Sequence, residues 1–136
     1  MANGTIAFDT LTTSDSVNTG TEKSIDTSYI FNGVVKCWVN FDGSATNAAS
    51  RDSFNVSSMA DRGTGLSTIT LSNAMSDSNY AGTTSCMGTN GDDDGRNYVA
   101  VAMPKDSDEV YVNQFTVSAS AADGGYVAAH ITGDLA

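Results

Sequence analysis

The chain has 136 residues and a formal net charge of −10, with six Lys and Arg against sixteen Asp and Glu. That length suits one domain, long enough to bury a core without disulfides or metal. The acidity and the scatter of the few basic residues exclude a phosphate-backbone partner and disfavour anionic membrane surfaces.

The N-terminus "MANGTIAFDTL" has neither the basic start nor the apolar core of a signal peptide. No apolar run reaches the length of a bilayer span. Ile6, Phe8 and Leu11 alternate loosely, and "TLTTSDSVNTGTEKSIDTS" then carries few apolar residues and no period. Residues 1–33 therefore read as an extended N-terminal arm, a docking or edge segment that either covers a neighbouring subunit or frays. The remainder, 34–136, reads as one β-domain.

Period two dominates from there on, and no segment carries a helical stripe. Residues 34–41 form the first clear strand. Val35, Cys37, Val39 and Phe41 fall on one face, with Lys36, Trp38 and Asn40 on the other. The only tryptophan thus sits with the polar set. Phe54 and Val56 mark a second strand, "DRGTG" at 61–65 is turn chemistry with two glycines free to take positive φ, and "LSTITL" resumes with Ile69 and Leu71 inward. Residues 52–71 read as one β-hairpin. Residues 73–82 are a connection with room for one helical turn. A weaker strand follows at 80–87, then a loop tip at 88–95 and a strong strand at 96–103 ended by Pro104. In the longest alternating run, 109–119, Tyr111, Phe115 and Val117 share a face with Asn113. Val110, Val112, Gln114 and Thr116 share the other. "AADGG" turns the chain into a last strand at 126–132. Strands of this length between Gly and Asp turns give an all-β fold, an antiparallel β-sandwich that is jelly-roll-like or a barrel.

Chemistry-bearing constellations are sparse. Asn90, Asp92, Asp94 and Gly95 match the opening of an EF-hand loop, but its twelfth position is Val101 in an apolar strand and no helices flank it. Asn90, Asp92 and Asp94 remain weak calcium candidates, and Asp106, Asp108 and Glu109 form a second acidic loop. His130 is the only histidine, with no nucleophile motif beside it. No Cys/His pair has zinc spacing, and no cofactor is expected. Cys37 lies on an apolar strand face and reads as a small buried hydrophobe. A bridge from Cys37 to Cys86 is the minority expectation for a chain made in a reducing compartment. Tyr29, Trp38, Tyr80, Tyr98, Tyr111 and Tyr126 lie in or beside strands, and such amphipathic rings gather at interfaces and sugar-binding faces. Trp38, Tyr80, Tyr98 and Tyr111, with Ile6, Phe8 and Leu11 of the arm, are the candidate binding or subunit-interface residues.

Three stretches, "VVKCWVNFDG" at 34–43, "RDSFNVSSMADRGTGLSTITL" at 51–71 and "AMSDSNYAG" at 74–82, resemble a β-rich module of bacteriophage tail-fibre and related virion proteins. The matched positions are Lys36, Trp38, Val39, Phe41, Asp42 and Gly43, then Arg51 to Ser58, then Asp61, Gly63, Thr64 and Gly65, then Ala74, Met75, Asp77, Asn79 and Tyr80. The opening is also similar to short stand-alone virion-type proteins of environmental phages. The resemblance implies a virion structural protein that is not an enzyme, forms a homotrimer, is made in the host cytoplasm and sits on the particle exterior. Its implied partners are itself, other virion proteins and a host surface glycan or receptor. The short chain lacks a fibre shaft and favours a small fibre-like accessory module at a tail fibre or appendage. Capsid decoration on the head exterior is the alternative. A polysaccharide-cleaving enzyme using two loop carboxylates and a calcium-dependent lectin are the remaining readings.

Overall fold

The computed structural model describes residues 10–12, 24–45, 49–88 and 97–136. The chain divides into two compact units, Met1–Val34 and Val35–Ala136. In the first, β1 (Thr10–Thr12) pairs antiparallel with β2 (Ser24–Asp26), and α1 (Thr27–Gly33) follows. This helix departs from the strand-and-loop expectation. Its start is fixed locally: the Asp26 side chain accepts from the Ser28 amide at 2.8 Å, satisfying a free N–H of the first turn. The Val34 amide closes the last turn on the Ile30 carbonyl at 3.1 Å. None of its side chains is buried, so no apolar stripe marks it in the sequence.

The second unit is a sandwich of two antiparallel four-stranded sheets. Its strands are β3 (Val35–Phe41), β4 (Ser50–Phe54), β5 (Val56–Asp61), β6 (Leu66–Leu71), β7 (Ala81–Met87), β8 (Tyr98–Pro104), β9 (Glu109–Thr116) and β10 (Tyr126–Thr132). Sheet I has the order β4-β3-β10-β7 and sheet II the order β5-β6-β9-β8. β7 and β8 lie side by side where the sheets meet, and there the Thr84 hydroxyl donates to the Ala100 carbonyl at 2.6 Å. β10 returns beside β7, making β7 to β10 a Greek key.

The other join corrects the expected hairpin over 52–71. Only 56–71 forms it; Ser50–Phe54 belongs to the opposite sheet. The chain switches sheets at Asn55, whose φ of 60° is left-handed. Asn tolerates that conformation where most residues do not. Its side chain is pinned: Oδ1 accepts from the Asn73 amide at 2.8 Å and Nδ2 donates to the Asn73 carbonyl at 3.1 Å. A corner of this kind lets a strand leave one sheet for the other. The β5–β6 turn does use Gly63 (φ 114°) and Gly65 (φ 70°).

Between the sheets lie Cys37, Val39 and Phe41 of β3, Ile69 and Leu71 of β6, Val110 and Val112 of β9, and Val127, Ala129 and Ile131 of β10. Both cysteines are free. Burial pushes the Cys37 thiol up to about 11. Met75 and Tyr80, from the β6–β7 connection, plug one end of this core. That connection contains no helical turn.

A buried amide ties three loops together. Gln114, 2% exposed, accepts at Oε1 from the Gly124 amide at 2.8 Å and donates from Nε2 to the Ser67 hydroxyl at 3.3 Å. Gly124 in turn accepts from the Gly43 amide at 2.8 Å, and the Gly65 carbonyl accepts from the Gln114 amide at 2.7 Å. A Cβ at Gly43 would stand 2.8 Å from the Gly124 carbonyl oxygen. Only glycine therefore lets the β3–β4 loop approach this closely.

Candidate functional site

The unit Val35–Ala136 offers two outer sheet faces, and their chemistry differs. On sheet I the register places Phe54, Trp38, His130 and Thr83 in one row across β4, β3, β10 and β7. The next row is Asp52, Asn40, Ala128 and Ser85, and beyond it Tyr126 faces Met87. Trp38 is half-buried here, while Phe54 is 56% and Tyr126 46% exposed. The Arg51 guanidinium lies 4.4 Å from the Tyr126 ring centroid, a cation–π distance. Arg51 donates to the carbonyls of Phe41 at 2.9 Å and Gly125 at 2.6 Å and pairs with Asp42 at 3.0 Å. The Ser44 hydroxyl, with Arg51 adding its charge, holds the Asp42 carboxyl below the ordinary range.

Sheet II turns a more apolar face outward. Val99, Val101 and Met103 of β8 are 36–39% exposed, and Leu66 of β6 is 42% exposed. Val99 pairs with Phe115, Val101 with Asn113 and Met103 with Tyr111. Two described cations of this face gather at one ring: Arg62 lies 4.6 Å and Lys105 5.5 Å from the Tyr111 centroid. Arg62 also donates to the Tyr111 hydroxyl, and Lys105 pairs with Glu109, which raises its pKa. Thr68, opposite Tyr111, is 5% exposed, and its hydroxyl finds no partner. Such an orphan is costly unless something covers and satisfies it.

The sequence candidates scatter across these surroundings. Trp38 lies on the sheet I face and Tyr111 on the sheet II face. Tyr98 is half-buried at the start of β8, on the side opposite Val99. Tyr80 is not a surface residue, which corrects its place among the interface candidates. It is 7% exposed, and its hydroxyl donates to the carbonyls of Asp106 at 2.9 Å and Glu109 at 2.6 Å. Burial, with the Asp106 and Asp108 carboxylates adding to it, pushes its pKa up to about 12. Of the arm residues, only the backbone of Leu11 is described, in β1; Ile6 and Phe8 lie outside the described residues, as do Asn90, Asp92 and Asp94. Among the described residues no three His, Cys, Asp or Glu side chains gather to hold a metal ion, and no helix is long and apolar enough to cross a membrane.

The alternation rule missed the sheet II face, because it assigns an apolar run one buried side. The signal was in "YVAVAM" at 98–103, where both alternate sets are apolar. Ala100 and Ala102 pack toward the core while the larger Val99, Val101 and Met103 point out. A strand apolar on both sides belongs where both sides are covered. No family model, no curated protein and no solved structure matches this chain.

Proposed function

We propose that this protein is a small structural component of a bacteriophage virion. On this reading it sits on the particle exterior as a fibre-like accessory module and acts by assembly and attachment, not catalysis. The observation that carries the assembly role is the outward row Val99, Val101 and Met103, with Leu66 and Phe115 beside it. Contiguous apolar side chains on an outer sheet face mark a surface that another protein covers. The occupant is a second copy of the chain, and the resemblance to tail-fibre modules makes the assembly a trimer. The phage assignment rests on that resemblance, carried by "VVKCWVNFDG" and the two stretches after it.

Sedimentation velocity of the full chain tests the assembly. A trimer at micromolar concentration is expected, and a monomer refutes it. Counting copies in purified particles by quantitative mass spectrometry tests the placement. A few copies per particle fit a tail appendage, many copies fit decoration of the head, and absence from the particle overturns the reading.

A further inference from the structure

The face of sheet I holds a depression of about 300 Å³ whose floor is the row Asn40, Ala128 and Ser85. Ala128 contributes only a methyl group, so this row lies low between bulkier neighbours. Tyr126, Met87 and Cys86 complete the lining, and the row of Trp38 and His130 is the next one along the strands on the other side of the floor. Rows two residues apart along a strand are separated by about 7 Å, so the flanking rows stand roughly 13 Å apart. A depression of about 300 Å³ has room for one sugar ring with its substituents.

The chemistry of the trough fits the same ligand. The Asn40 amide nitrogen and the Ser85 hydroxyl have no partner among the described residues; the Asn40 oxygen has only a long 3.5 Å contact from Arg51. They supply donors and an acceptor at the floor. Tyr126 supplies an aromatic wall, and its ring is held before any ligand arrives, because Arg51 against it is itself fixed by two carbonyls and Asp42. A ring fixed in advance loses little entropy on binding. Arg51 beside the trough already pairs with Asp42, so the overall charge of −10 decides between sugars and disfavours carboxylate-bearing ones.

We propose that this trough is a binding subsite for a neutral pyranose, seated over Ala128 between Tyr126 and the Trp38 row. The inference deepens the attachment role proposed above and rests on it for the source of the sugar. Its failure leaves the particle composition, measured separately, unaffected. Trp38 is the sole tryptophan, and its emission reports occupancy of the neighbouring row. Neutral trisaccharides of glucose, galactose, mannose and N-acetylglucosamine are titrated into the full chain, with trigalacturonate as acidic control. At least one neutral sugar is expected to give a saturable change and trigalacturonate none. Ala128→Phe fills the trough and abolishes the response, and Ser85→Ala weakens it about fivefold, the loss of one neutral hydrogen bond. The proposal is overturned if no neutral sugar saturates, if trigalacturonate binds as well, or if folded Ala128→Phe still binds. Should Ala128→Phe fail to fold, Ser85→Ala and Ala128→Val decide, and unchanged affinity in both overturns it.

Discussion

Replacing Tyr80 by phenylalanine removes one oxygen from the plugged end of the sandwich and leaves the ring. The lost hydroxyl lies 2.9 Å from the Asp106 carbonyl and 2.6 Å from that of Glu109. Glu109 keeps other donors, the amides of Lys105 at 3.0 Å and Asp106 at 3.2 Å. The substitution therefore strands one carbonyl rather than two. Its cost at neutral pH is about 1–1.5 kcal/mol, or about 5 °C in Tm for a unit of this size. Tyr80→Ala also empties the space of the ring and costs about 3–5 kcal/mol. Alkali separates the hydroxyl from the packing. The folded pKa is about 12 against an ordinary 10, so the unfolded chain loses this proton first. The stabilising contribution is whole below pH 10 and is lost as pH rises toward 12. At ~1.4 kcal/mol per unit the full loss is about 3 kcal/mol, half of it present near pH 11. Urea unfolding of parent and Tyr80→Phe at neutral pH and near pH 11 measures both terms. The gap between the two proteins should nearly close at the higher pH. A gap of the same size at both, or no cost at neutral pH, refutes the assignment of Tyr80 as a buried, hydrogen-bonded donor.

Gln114→Leu strands the Gly124 amide and the Ser67 hydroxyl inside the protein; a loss of about 2–3 kcal/mol in denaturant unfolding is expected. Asp42 is held below its ordinary 3.8 by Ser44 and Arg51, so its carboxylate supports the fold above that pH and ceases to as pH falls through the lowered value. Asp42→Asn should flatten the acid limb of the stability profile there and cost under about 1 kcal/mol at neutral pH, since water screens the pair. Iodoacetamide should modify half-buried Cys86 first and fully buried Cys37, raised to about 11, only on unfolding; peptide mass mapping over time reads the order. Val101→Asp places a charge on the proposed self-association face and should shift the sedimenting species to monomer. It should change thermal stability by no more than about 0.5 kcal/mol when dilute, as Val101 is 39% exposed.

Much of the core was legible without coordinates. Cys37, Val39 and Phe41, then Ile69 and Leu71, point inward as alternation assigns them, and Val110, Val112 and Gln114 do share one face as it groups them, though burial alone tells that this face is the inward one. Period two is a property of the extended backbone itself, so it survives whatever the strand packs against. The turn glycines at 63 and 65 were legible for the same local reason, positive φ at little steric cost. The rest depends on neighbours distant in sequence. Asn55 looks like a polar position within a strand and is the corner between sheets, because Asn73, eighteen residues on, is there to bind it. Tyr80 looks like a surface ring and is core, because the loop at 106–109 supplies carbonyls above it.

Trp38 shows the division in one residue. Its place on the face opposite Cys37 and Val39 followed from alternation alone. Only the pairing of β3 with β4 and β10 set Phe54 and His130 on either side of it, and put Ala128 one row away. Alternation is settled by bonds along the chain; what stands beside a side chain is settled by which strands the fold brings together.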